Sequence, residues 1–150
     1  MFKIVRIGYR STVLLALGVL LFSSAARAME IWKFDKMADA DQDEYVADLV
    51  VGAQKVLKDD GNPDLAKKAR KLFLSIPAGD KISVGMGEFE INLARARVAD
   101  LERVKKDPSA SRLEVEHAMI VTLKKNDIVL PKSFMTVGKE FKPKHPPKEN

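Results

Sequence analysis

The chain has 150 residues, no cysteine and a formal net charge of +5, with 46% hydrophobic and 31% charged residues. That length suits one domain with one apolar core. The absence of cysteine excludes disulfides, thiolate metal sites and thiol catalysis, so the apolar core must hold the fold.

The first 28 residues have the pattern of a secretory signal peptide. Three bases and no acid occur among the first ten residues, and an uncharged, mostly apolar run extends from residue 11 to residue 26. The segment ends in Ala26-Arg27-Ala28, with small side chains at the two positions that a signal peptidase accepts. This predicts cleavage after Ala28 and a periplasmic or secreted protein. The alternative, an uncleaved anchor, would need a run of roughly 18 residues or more.

Signal removal changes the charge of the protein. With four of the 26 bases removed and all 21 acids retained, the net charge falls from +5 to +1, and a nucleic-acid partner loses its compositional support. Ten acids and four bases remain between residues 29 and 64, so this acidic part can attract the basic remainder within the fold. We predict a single helical domain over residues 29–141 and a disordered, basic, proline-rich tail over residues 142–150.

The stretch MADADQDEYV, residues 37–46, places an aspartate at every second position. A calcium loop beginning at Asp39 would need glycine at its sixth position and glutamate at its twelfth, but Glu44 and Val50 occupy those positions. We therefore interpret the stretch as the start of a helix, with Asp41 at the N-cap and Glu44 as its capping-box partner. Calcium binding is the less favoured alternative.

Apolar residues recur at spacings of three and four in four segments, which predicts an all-α bundle of about four helices. The segments run from Gln42 to about Lys58, from Pro63 to Ile76, from about Met86 to Lys105, and from Asp107 or Ser111 to Lys125. Gly61 is predicted to end the first helix and Asn62-Pro63 to start the second. The stretch from Ile82 to Ile91 also alternates like a short strand, which stays open as an alternative.

The predicted core consists of the apolar stripes of these helices and a final turn. Its predicted members are Tyr45, Leu49, Ala53, Val56, Leu57, Leu65, Ala69, Leu72, Phe73, Ile76, Leu93, Val98, Leu101, Val104, Val115, Met119, Thr122, Leu123, Phe134, Val137 and Phe141.

Few residues are candidates for catalysis or metal binding. His145 lies in the predicted tail, and His117 is predicted to be exposed without a second imidazole to complete a metal site. Glu88 and Glu90 would point about 200° apart around a helix axis and would not act on one substrate. No serine nucleophile elbow, zinc helix motif or phosphate loop occurs in the sequence. We therefore assign no catalytic, cofactor-binding or metal-binding residue and predict that the protein is not an enzyme.

The order of a signal peptide, a short aromatic segment, the DEYVADLVVGA helix and a late TLKKNDIVLP segment resembles that of small periplasmic helical proteins. These include amidase-immunity proteins of type VI secretion and acid-stress chaperones. Those families usually carry cysteines, which this chain lacks, and no binding residue is carried over from them. We predict an exported non-enzymatic protein that binds another periplasmic or envelope protein. The alternatives are an immunity-like inhibitor, a chaperone-like protein and a carboxylate-dependent hydrolase.

Overall fold

The computed structural model describes residues 28–149, which form five α-helices and a closing 3₁₀ segment. The helices are α1 (Ile31–Asp35), α2 (Asp39–Asp59), α3 (Pro63–Leu74), α4 (Val84–Lys106) and α5 (Val115–Lys125), followed by the 3₁₀ segment Lys132–Glu140. Within this part of the chain the all-α prediction is confirmed, and the stretch that could have been a strand is helical from Val84 onward. The predicted signal peptide lies outside the described residues, apart from Ala28.

Local sequence signals set three of the helix boundaries. Gly61 has a φ of +78°, a backbone conformation that side-chain-bearing residues rarely adopt, and it separates α2 from α3 as predicted. Pro63 is the first residue of α3, where its missing N–H removes no helical hydrogen bond. The hydroxyl of Ser83 accepts a hydrogen bond of 3.2 Å from the Met86 amide and caps the start of α4.

Two predicted helix starts are wrong. Helix α2 begins at Asp39 with Ala38 at its N-cap, so Asp41 is the third residue of the helix and not its cap. Helix α5 begins at Val115, because the residues before it pair with the N-terminal segment instead of starting a helix. The Ile31 amide donates to the Leu113 carbonyl at 3.0 Å, and the Val115 amide donates to the Met29 carbonyl at 2.9 Å.

The core lies where α2 packs against α3 and the 3₁₀ segment, and where α4 packs against α5 and α3. Burying one such large apolar side chain stabilises the fold by about 1.5–3 kcal/mol. Gly52 allows α2 to approach the 3₁₀ segment closely, because a Cβ at that position would overlap the methyl groups of Val137. The largest apolar side chains with less than 2% exposure are Tyr45, Phe89, Phe134, Ile31, Leu49, Leu57, Met119, Leu123, Ile128 and Val115.

Three predicted core residues are exposed. Val98 is 59% exposed and Leu101 is 65% exposed, because α4 turns the opposite face, with Phe89 and Leu93, toward the core. Helical periodicity reveals an apolar stripe without revealing what covers it. Ile76 lies beyond the end of α3 and is 57% exposed. Among the described residues, no helix combines the length and the apolar character needed to cross a membrane.

Candidate functional site

An open apolar groove of about 460 Å³ lies between α2, α3 and the start of α4. We call it the α2–α3 groove. Two of its lining side chains are strongly exposed, Val51 at 64% and Leu74 at 65%. Asp43 and Arg70 add one charge of each sign to the otherwise apolar lining. The full lining consists of Asp43, Val46, Ala47, Val50, Val51, Gln54, Arg70, Phe73, Leu74 and Met86.

The acidic start of α2 binds the C-terminal tail. Asp41 is fully buried, and its carboxylate accepts hydrogen bonds from the backbone amides of Lys144 at 3.0 Å and His145 at 2.9 Å. The Nδ1 atom of His145 lies 3.0 Å from the same carboxylate. Burial raises the pKa of Asp41, but the hydrogen bonds from the tail outweigh burial and hold this pKa below its ordinary value. Asp41 is therefore an anchor for the tail.

The predicted disorder of residues 142–150 is not confirmed. Besides the bonds to Asp41, Lys144 forms an ion pair with Glu44 at 2.5 Å. Lys148 pairs with Asp39 at 2.5 Å and donates its amide to the Lys36 carbonyl at 2.8 Å. These contacts hold the basic tail against the acidic segment. They agree with the attraction expected from the excess of acids in residues 29–64 and the excess of bases after them. Composition alone predicted disorder because it cannot show which residues bind the tail. Those residues lie about a hundred residues earlier in the chain.

A buried tyrosine and glutamate form the most unusual polar site of the described chain. The Tyr45 hydroxyl donates a short hydrogen bond to Oε1 of Glu116, and both residues are completely buried. The Met29 backbone nitrogen lies 3.4 Å from the same oxygen. The other oxygen, Oε2, has no hydrogen-bond partner among the described residues.

The surroundings of this site make a carboxylate charge unfavourable. Burial raises the pKa of Glu116 despite the hydrogen bond from Tyr45, and Glu114 adds a further negative charge nearby. Burial and the charge of Glu116 also raise the pKa of Tyr45 far above its ordinary value. The rings of Phe34 and Phe141 pack on Tyr45 with centroids 5.8 Å and 5.1 Å away. Glu116 is thus an acid held in an apolar environment.

Glu116 is not among the residues that the sequence analysis singled out. A usable signal was present: Glu116 lies three residues before Met119 and seven before Leu123, which are both buried. Residues at this spacing share one face of a helix. A glutamate on the core stripe predicts a buried carboxylate that needs a partner.

A third buried carboxyl residue, Asp100, orders the connection between α4 and α5. Asp100 is 2% exposed and accepts hydrogen bonds from Arg112 Nε at 2.8 Å and from the Leu113 amide at 2.7 Å. The hydrogen bonds lower the pKa of Asp100 below its ordinary value although burial acts in the opposite direction. Asp100 therefore fixes the segment that pairs with the N-terminal residues.

The structure does not bring the residues considered for chemistry together. His117 is exposed on α5, as predicted, whereas His145 binds Asp41 through the tail. Glu88 accepts a hydrogen bond of 2.7 Å from the Asn126 amide, and Glu90 is exposed. Within residues 28–149 no group of three histidine, aspartate or glutamate side chains is arranged to hold a metal ion.

Comparisons with known proteins supply no relative. No protein-family model matches the chain, and no curated protein or solved structure matches it. A functional proposal therefore rests on the residues of this chain.

Proposed function

We propose that the protein is an exported, non-enzymatic binding protein that takes an amphipathic helix of a partner protein into the α2–α3 groove. The observation that carries the proposal is the exposed apolar lining. Val51 and Leu74 stand about two-thirds exposed beside the half-buried side chains of Val50 and Phe73. Isolated exposed apolar residues are common, but a contiguous concave patch of them is typical of a contact surface.

The groove also has the shape and the charges that a helical partner needs. An amphipathic helix inserts apolar residues at spacings of three, four and seven into such a groove. Asp43 from α2 and Arg70 from α3 can each pair with an opposite charge at the edge of that helix. These pairs would fix the direction of the helix more than they would add affinity.

The alternatives differ in how well the groove supports them. An immunity-like inhibitor and a chaperone-like protein both act by binding, so they differ from the main proposal only in the identity of the partner. A carboxylate-dependent hydrolase needs two acids that converge in a cleft, about 5–10 Å apart in glycoside hydrolases. Asp43 is the one carboxylate residue in the lining of the groove, which favours binding over hydrolysis.

We expect Leu74→Asp and Val51→Asp each to abolish partner binding, because each places a charge in the apolar lining. The proteins would be used to capture partners from periplasmic extract. A partner identified by mass spectrometry would then be titrated by calorimetry as its isolated helical segment. Since both side chains are exposed, thermal stability should change by less than about 0.5 kcal/mol.

Val129→Asp is the matched control, since Val129 is 70% exposed and lies outside the groove lining. The control should bind the partner segment as the unmodified protein does. A partner segment that binds the Leu74→Asp variant with unchanged affinity would contradict the proposal, as would equal loss of binding in the control.

A further inference from the structure

The predicted cleavage point lies directly beside the buried glutamate. Cleavage after Ala28 would make Met29 the first residue, and the Met29 nitrogen lies 3.4 Å from Oε1 of Glu116. Glu116 is completely buried and has one oxygen without a hydrogen-bond partner within the described chain. The cleavage site was predicted from residues 1–28 and the buried acid comes from α5, so the two observations are independent.

Contacts made after the cleavage point hold the Met29 nitrogen in place. The Met29 carbonyl accepts from the Val115 amide at 2.9 Å, and the Ile31 amide donates to the Leu113 carbonyl at 3.0 Å. Because these bonds use atoms of Met29 and later residues, removal of residues 1–28 leaves them intact. The new N-terminus would stay paired with the residue that directly precedes Glu116.

We infer that the α-ammonium group of Met29, formed by signal-peptide cleavage, binds the carboxylate of Glu116 and completes the core of the mature protein. In the cleavage step a signal peptidase hydrolyses the Ala28–Met29 amide bond with one water molecule. Ala28 leaves with a new carboxylate, and the Met29 nitrogen takes up protons to become an ammonium group. One neutral N–H donor is thereby replaced by three N–H donors and a positive charge.

The ammonium group supplies the opposite charge that the Glu116 carboxylate lacks before cleavage. A buried carboxylate without an opposite charge is strongly disfavoured, and a neutral backbone amide compensates for it only in part. The ionisable groups that face Glu116 are Tyr45 from α2 and Glu114 just ahead of α5, and both are acids. Among the ionisable groups that face Glu116 in the described chain, the ammonium group would be the one cation. This inference depends on cleavage after Ala28 and not on binding in the α2–α3 groove.

The test compares two chains that differ only in the chemical state of the Met29 nitrogen. Both begin at Met29: one has a free amine, and the other has its amine acetylated, so that its Met29 nitrogen is an amide. We expect the free-amine chain to have an unfolding equilibrium constant about tenfold lower at neutral pH, the equivalent of one pKa unit. Glu116→Gln should abolish this difference, whereas Glu114→Gln should preserve it.

The pH dependence has a definite sign. Pairing with Glu116 should raise the α-amino pKa of Met29 above its ordinary value of about 7.7–8. The stability gained by the free-amine chain should therefore be complete below that value and lost as the pH rises through the raised pKa. It should also fall in acid, where Glu116 becomes protonated and its pairing with the ammonium ends.

If Glu116→Gln does not fold, two further measurements can still refute the inference. NMR titration of the free-amine chain should give an α-amino pKa above the ordinary range, and an ordinary value would overturn the ion pair. Intact mass and N-terminal sequencing of the exported protein should show Met29 as its first residue. A different first residue would overturn the cleavage step on which the ion pair depends.

A separate observation concerns the exposed face of α4. Val84, Ile91 and Val98 recur every seven residues and are 38%, 54% and 59% exposed. Three more residues complete a stripe with the heptad spacing of a coiled coil, opposite the buried face of the helix. We call this stripe the α4 seam; its members are Val84, Gly87, Ile91, Ala94, Val98 and Leu101.

We propose that the α4 seam binds the α4 seam of a second copy in antiparallel orientation. In an antiparallel pair whose twofold axis passes between residues 92 and 93, the seam residues form three kinds of side-chain layer. Two of these place a large side chain opposite a small one. The layers would pair Gly87 with Val98, Ile91 with Ala94, and Val84 with Leu101. Parallel pairing would instead place Gly87 opposite Gly87 and Ala94 opposite Ala94. Two small residues facing each other leave a gap in the interface, which lowers the stability of the dimer.

The charges beside the seam also fit antiparallel pairing. Glu88 and Arg95 lie on one flank, and Glu90 and Arg97 lie on the other. In an antiparallel pair each flank meets the same flank of the second copy, so Glu88 faces Arg95 and Glu90 faces Arg97. Arg97 also forms an ion pair with Asp35 of its own chain at 2.7 Å, and Glu88 accepts a hydrogen bond from Asn126 of its own chain at 2.7 Å. Arg95 is therefore the more informative position for a test.

Sedimentation equilibrium over a wide concentration range should show a monomer–dimer equilibrium that Ile91→Glu abolishes and Val129→Glu does not. Arg95→Glu should weaken the dimer by placing two glutamates opposite each other, and added Glu88→Arg should restore it. Because the chain has no cysteine, introduced cysteines report orientation directly. Val84→Cys should form a disulfide with Leu101→Cys of a second copy. A monomer at all concentrations, a dimer insensitive to Ile91→Glu, or self-linked Leu101→Cys would overturn the proposal.

Discussion

Replacing Gly138 by alanine is expected to destabilise the protein by about 3 kcal/mol. The added Cβ would overlap the Tyr45 hydroxyl and would lie 2.6 Å from Oε1 of Glu116. Both of these residues are fully buried, so neither side chain can move into solvent. The variant must either break the hydrogen bond between them or shift the 3₁₀ segment. Urea denaturation of dilute protein, followed by circular dichroism, measures the loss.

Gly87→Ala provides the control for a glycine-to-alanine change as such. A Cβ at Gly87 would have its nearest neighbour, Ile82 Cδ1, at an ordinary distance of 3.5 Å. Since alanine favours a helix over glycine, this variant should be more stable by about 0.5–1 kcal/mol. If Gly138→Ala proved as stable as Gly87→Ala, the tight packing of the 3₁₀ segment on the Tyr45–Glu116 pair would be refuted.

Replacing Asp100 by alanine is expected to destabilise the protein by about 3 kcal/mol. The change leaves the guanidinium of Arg112 and the amide of Leu113 without their acceptor. We place the loss at the lower end of the range for broken buried pairs because the Arg112 side chain is 28% exposed and can be partly hydrated. Denaturation at neutral pH measures the effect.

The comparison variant for Asp100→Ala is Asp35→Ala, which breaks a similar pair at the surface. Asp35 binds Arg97 through two guanidinium nitrogens, but both side chains are more than one-third exposed. Loss of such a pair should cost less than about 1 kcal/mol. Equal losses in the two variants would show that burial does not strengthen the interaction of Asp100 with Arg112.

The lowered pKa of Asp100 gives the same prediction a pH dependence. A carboxyl group whose pKa is lower in the folded state stabilises the fold above its unfolded pKa of about 3.9. That contribution is lost as the pH falls through the lower, folded pKa. The stability difference between the unmodified protein and Asp100→Ala should therefore shrink in acid. A difference that stays constant from neutral pH into strong acid would contradict this assignment.

The sequence predicted the features that depend on residues close together in the chain. The boundary at Gly61 and Pro63 follows from the backbone preferences of two adjacent residue types, and the structure places it where expected. The apolar stripes of α2 and α5 were also found, because a helix with one apolar stripe usually turns it inward. The same reasoning failed for Val98 and Leu101, where α4 has apolar residues on two faces and the fold covers one of them.

The polar sites could not be predicted in the same way because their partners are distant in sequence. Tyr45 and Glu116 are 71 residues apart, and Asp41 and His145 are 104 residues apart. No spacing rule connects such residues, and each site exists only after the helices have packed. Asp41 was predicted to cap its own helix, whereas the structure places its carboxylate against the tail. The α2–α3 groove was missed for a similar reason, since it depends on how three helices meet.

The backbone bond between Lys148 and Lys36 ties the last described residues to the junction of α1 and α2. The first and the last parts of the described chain are both docked: Met29 lies beside Glu116, and the tail lies beside Asp41. A purification tag or fluorescent fusion placed directly before Met29 or directly after the tail would lie against one of these docking points. Labels are better placed at Ala78 or Asp80 in the exposed turn, since Gly79 between them has a φ of +89° that disfavours a side chain.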